Sequence, residues 1–103
     1  MPNMGNLLKK AQQLQEKMTK LQDELNEKTI ETSAGGGMVT VMATGKQEIA
    51  SIKIDPEVVN KEDVEMLEDL VLAAVNDALS QAKQMVSEEM AKLTGGVNIQ
   101  GLM

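Results

Sequence analysis

The chain has no Phe, Tyr or Trp, no Cys, no His and only two Pro among its 103 residues. Each absence closes a class of explanation. Without cysteine there is neither a disulfide framework nor a thiolate zinc site, which fits a reducing cytoplasm. Without histidine and cysteine, most nucleophile–base pairs, imidazole metal sites and histidine proton shuttles disappear together. Carboxylates, lysines and hydroxyls remain, but a chain this short can hardly spare them a buried polar pocket, so no catalysis, cofactor, metal or small-molecule substrate is expected. Without aromatics, the core rests on Leu, Ile, Val, Ala and nine Met, which bury less area per residue. No apolar run approaches the roughly 20 residues that span a membrane, and residues 1–6 lack the apolar core of a secretory signal. The expectation is one small, soluble, cytoplasmic domain covering residues 1–103, short enough of core to need assembly.

What is present begins with a periodic seam. Met4, Leu7, Ala11, Leu14, Met18, Leu21 and Leu25 recur at alternating spacings of 3 and 4, the a/d pattern of a coiled coil. Residues 4–28 read as a helix rich in Leu, Lys, Gln, Glu and Met. A lone amphipathic helix gains too little in water, so the seam requires a second helical surface. Lys9, Lys10, Lys17 and Lys20 sit off the seam and face outward.

Residues 29–54 change character, to short β-branched runs. Gly35-Gly36-Gly37 separates the first two as a hairpin turn. It lacks the spacing of a phosphate-binding loop and opens no helix. Gly45-Lys46 separates the next two, with glycine first as a two-residue II′ turn prefers. Alternation puts Val39, Val41 and Ala43 on one face of an antiparallel meander, with Met38, Thr40, Met42 and Thr44 on the opposite, wet face. Ile52 and Ile54 share a face on the third strand. Asp55-Pro56 ends the sheet. Asn60 is placed to cap a helix over 61–94, with Glu62, Asp63 and Glu65 at its positive end. Val64, Leu67, Val71, Ala74, Ala78, Ala82, Met85, Met90 and Leu93 mark its apolar face. Thr94-Gly95-Gly96 stops it, and 95–103 reads as a mobile tail.

Helices of roughly 30 Å and roughly 50 Å overhang strands of about 20 Å. Their seams, with Leu7, Leu14, Met18, Leu21 and Leu25 on one helix and Leu67, Val71 and Ala74 on the other, meet each other or another chain. A dimer using both is the simplest solution, and a monomer folding the first helix back on the second is the alternative. The fold class is therefore α+β: helix, three-stranded antiparallel meander, long helix.

Charge is segregated. Four lysines against Glu16 give residues 1–20 a net of +3, while Lys61 against eight acids gives residues 55–77 a net of −7, within an overall −6. Local potential governs phosphate binding, so the basic arm can contact DNA, although on sequence chemistry alone the four lysines read as a solvated coiled-coil face. Glu62, Asp63, Glu65, Glu68 and Asp69 lie along a helix rather than in a loop able to wrap a hard cation, and helix-start stabilisation explains them better. Nine methionines can make an adaptable surface, but Met18 and Met85 fall on apolar stripes and read as core.

The stretch MLEDLVLAAVNDAL at 66–79, with GMVTVMATG at 37–45, IKIDPE at 52–57, LLKKAQQLQEKMTKLQDEL at 7–25 and the terminal Gly101-Leu102-Met103, closely resembles the YbaB/EbfC family of bacterial nucleoid-associated proteins. The resemblance implies a tight, intertwined homodimer with tweezer-like helical arms and binding of double-stranded DNA with little sequence preference. It makes Lys9, Lys10, Lys17 and Lys20 the candidate DNA-binding residues, on a cytoplasmic protein of the nucleoid. The net negative charge departs from a strong duplex binder, so affinity is expected to be modest and salt-sensitive. The competing reading is a dimeric adaptor whose arms clamp a helix of a recombination, replication or transcription partner, with Glu62, Glu65 and Asp69 steering a basic partner.

Overall fold

Three consecutive glycines make the first chain reversal. Gly35, Gly36 and Gly37 hold φ of +65°, +68° and +93°, a region that a Cβ disfavours. They join β1 (Thr29–Ala34) to β2 (Val39–Thr44) as an antiparallel hairpin, with Thr32 opposite Val41. This computed structural model describes residues 4–94, so the expected tail at 95–103 lies outside the described residues. The order is α1 (Met4–Glu27), β1, β2, β3 (Ile49–Ile54), a 3-10 turn at Pro56–Val58, and α2 (Val64–Thr94), with the sheet in the order β1-β2-β3.

The second reversal differs from the expected two-residue turn. Gln47 N–H donates to Thr44 O (2.9 Å), Thr44 N–H donates to Glu48 O (2.9 Å), and Gln47 itself takes φ +66°. The loop thus spans Gly45, Lys46 and Gln47, with the left-handed residue last. Gly45 serves a different end. A Cβ there would lie 2.0 Å from the Leu25 carbonyl oxygen, and the Gly45 N–H donates to Lys28 O (3.1 Å). Its bareness lets the end of α1 dock against the hairpin.

Register explains the sheet's two faces. Val39, Val41 and Ala43 are buried, while Thr40, Met42 and Thr44 behind them are half-buried, as alternation requires. On β3, Met42 pairs with Ser51 but Ala43 with Ile49, leaving Ala50 as an extra residue. That bulge corrects the parity, so Ile49, Ile52 and Ile54 all lie on the face of Ala43, Val41 and Val39.

The start of α2 also departs from expectation. Asn60 Oδ1 accepts from Glu62 N–H (2.9 Å), forming a local turn ahead of the helix, and Asp63 Oδ1 accepts from Met66 N–H (3.2 Å). Asp63, not Asn60, is the cap. A side-chain oxygen must reach an orphan N–H two or three residues on, and Asn60 has already used its reach within the turn. From that cap α2 lays Ala74, Ala78 and Ala82, all buried, onto Val39, Val41 and Ala43, flanked by Leu67, Leu70, Val71 and Val75. The small stripe brings the helix close enough for buried Thr32 to donate from its hydroxyl to Ala74 O (2.9 Å).

The chain is far from spherical. Its radius of gyration is 20.0 Å and its extents 74 × 25 × 16 Å, where a compact chain of this length has a radius of about 13 Å. The excess is helix: α1 packs on α2 and on β2, burying Leu25 and half-burying Met18 and Leu21, while residues 4–17 are exposed throughout. Part of the α1 seam is therefore used within the chain itself.

Gly45→Ala is expected to lower stability by about 2 kcal/mol or more, because helix backbone must retreat. Gly36→Ala, with nothing within 4 Å of the added Cβ, should cost only about 1 kcal/mol through its φ. Urea unfolding midpoints check this ordering. Equal losses would remove the docking role given to Gly45.

Candidate nucleic-acid interface

Helix geometry sorts the charges of α1. At about 100° per residue, Lys9, Lys10, Lys17 and Lys20 fall within an arc of about 100°, centred about 120° from the apolar seam. All four are exposed. Among the described residues the ion pair is Lys92–Glu89 at 3.4 Å, so none of the four ammonium groups is in direct contact with a carboxylate. Lys9 and Lys20 are separated by about 16 Å of helix, comparable to five steps along a DNA strand.

Glu16 is the one acid of α1 set among these lysines, beside Lys17 and one turn before Lys20; the others lie elsewhere. Asp23, Glu24 and Glu27 occupy its root, so the arm runs from basic at its free part to acidic where it joins the body. The acidic beginning of α2 is more remote still. Gln22, Gly45, Gln47, Lys83, Val86 and Ser87 line the cleft where α1 meets α2, and residue 85 is about 30 Å along α2 from residue 65. The Debye length at physiological salt is about 8 Å. The exposed Glu62, Asp63, Glu65, Glu68 and Asp69 are therefore screened from the arm's lysines, and the overall −6 says little about the potential there.

A second exposed feature is apolar. α2 packs chiefly on β1 and β2, leaving the β3 side of the same sheet face open. Ile54, Leu67, Val71, Leu72 and Val75, with Glu68 at the edge, line the resulting groove. Leu72 is 60% and Ile52 45% exposed. Of the candidate seam residues, Leu67 and Val71 stand at this groove, Ala74 is buried against the sheet, and Leu25 is buried at the α1 root. Met18 and Leu21 are half-buried beside it, and Leu7 and Leu14 are exposed on the free part of α1.

Sequence reasoning missed Leu72 and read Ile52 and Ile54 only as strand residues sharing a face. The available signal was dimensional. Three strands are about 14 Å wide and one helix covers about 10 Å of them. The adjacent Val71-Leu72 pair also widens the stripe of α2 beyond what one sheet face can cover.

The profile of the YbaB/EbfC DNA-binding family matches residues 1–97. The chain belongs to that family. It is 59% identical to a nucleoid-associated protein of Thermoanaerobacter pseudethanolicus, over 97% of this chain and 90% of that one. It is likewise 59% identical to a nucleoid-associated protein of Caldanaerobacter subterraneus, with the same coverage. The fold is similar to that of the uncharacterized protein HP0035 from Helicobacter pylori, with a TM-score of 0.77 at 20% identity, covering 92% of this chain and all of that one. That likeness supports the helix–three strands–helix architecture. Among the described residues no helix is long and apolar enough to cross a membrane.

Proposed function

We propose that this chain is a non-catalytic, homodimeric, nucleoid-associated protein that binds double-stranded DNA in the bacterial cytoplasm with little sequence preference. Through that binding it contributes to nucleoid organisation and gene expression. The observation that carries the reading is the stripe of four exposed lysines without carboxylate partners on a projecting helix, in a chain of a DNA-binding family. Lys9, Lys10, Lys17 and Lys20 contact phosphates, which fixes position without reading bases. The absence of aromatics removes a stacking platform for single strands, so duplex is the substrate. The acids at the arm root and on the body limit the footprint, which keeps affinity modest.

The bare half of the sheet face supports the dimer. A second copy's α2 lies in the groove beside the first, covering Ile52, Ile54 and Leu72, where full burial of such side chains is worth about 1.5–3 kcal/mol each. The pairing is isologous, so it doubles the arms and their lysines.

Two measurements test these parts separately. Changing Lys9, Lys10, Lys17 and Lys20 together to Glu should abolish duplex binding in a gel-shift titration while the sedimenting mass is unchanged. The unmodified protein should lose affinity with salt at a log–log slope of about −0.9 per phosphate contacted. Binding unaffected by the four changes, or a flat salt response, would remove the assigned surface. Leu72→Glu places a charge in the groove without disturbing the protomer's own core, and should shift the sedimenting mass to that of a single chain. A mass unaltered by this change would locate the dimer contact elsewhere.

A further inference from the structure

We infer that the free part of α1, residues 4–17, is a docking seam for an acidic amphipathic helix of another protein. The seam's apolar positions are uncovered in the protomer: Met4 is 70%, Leu7 51% and Leu14 38% exposed. They continue the a/d spacing of the half-buried Met18 and Leu21 and the buried Leu25, so the surface is contiguous with one already used for helix packing. The dimer groove at β3 and α2 does not account for them, because its lining comes from Ile54 and the first half of α2.

Flanking charge identifies the occupant. With Met4 at position a, Lys10 and Lys17 take successive g positions, and Leu8 and Gln15 take e positions. Flanking positions choose the partner in coiled-coil pairing. A parallel second copy of α1 sets Lys10 against Gln15 and Lys17 against Gln22, with no ion pair. An antiparallel copy sets Lys10 against Lys17, which repels. A helix carrying Glu or Asp beside its apolar stripe satisfies both lysines, in the helix-on-groove mode of recognition. Lys10 and Lys17 are two of the four proposed phosphate contacts, so such a helix and DNA compete for one face of the arm. That competition rests on the DNA reading, while the docking itself does not.

The test uses a labelled peptide of three heptads with Leu at a and d and Glu at e and g, and a counterpart with Lys at e and g. Like charges keep each peptide from pairing with itself. Fluorescence anisotropy with the whole protein at low salt should show the Glu peptide binding about tenfold more tightly than the Lys peptide. Leu7→Ser with Leu14→Ser should abolish that binding and leave duplex affinity within about twofold, since serines at exposed positions do not touch the lysine stripe. K10E with K17E should reverse the peptide preference. Equal binding of the two peptides, or binding of neither, overturns the proposal, whatever the DNA titration shows. A drop in sedimenting mass on Leu7→Ser with Leu14→Ser would overturn it as well, by making a second copy the occupant.

Discussion

One helix on three strands is the constraint on which the rest depends. A chain without aromatic side chains builds its core by close approach rather than bulk. Ala74, Ala78 and Ala82 sit directly on Val39, Val41 and Ala43, and the helix is drawn down far enough for the Thr32 hydroxyl to reach a helix carbonyl. The same closeness limits how much sheet α2 can cover. The β3 side keeps Ile52 and Ile54 exposed, next to Leu72 on the helix. The bulge at Ala50 aims these isoleucines at the helix layer rather than at water on the other face. The open half-face is thus built into the register, and in the proposed dimer it is where a second copy completes the layer.

The arm depends on that body for position and for charge separation. Gly45 lets the root of α1 seat against the β2–β3 hairpin, and α1 then leaves the body with its lysines on one side and its apolar seam on another. Distance keeps the acidic start of α2 outside the arm's screened environment. A net-negative protein can present a locally cationic surface on these terms, and average charge is the wrong quantity for judging phosphate contact.

Much of the fold was legible because each element carries a short-range signal. The a/d spacing marked α1, the triple glycine marked the first hairpin, and the Val39-Val41-Ala43 alternation marked the core face. What escaped depends on relations between segments. Gly45 looked like a turn glycine, but its lack of a side chain answers to Leu25, twenty residues earlier. Asn60 and Asp63 are both good caps, and only the backbone path between them decides that Asn60 closes a turn and Asp63 caps the helix. The bulge at Ala50 has no compositional mark. For the candidate site, the four lysines were visible as off-seam residues, whereas the groove required knowing which strands α2 leaves uncovered.

The central claim is that the protomer's sheet face is completed by a second copy. Its most direct measurement is equilibrium urea unfolding of the whole protein at protomer concentrations spanning about a hundredfold. Where folding and association are one event, stability is inseparable from concentration, so the midpoint should rise steadily with protein concentration. A midpoint that stays constant across the range, with a sedimenting mass of one chain throughout, would contradict the account.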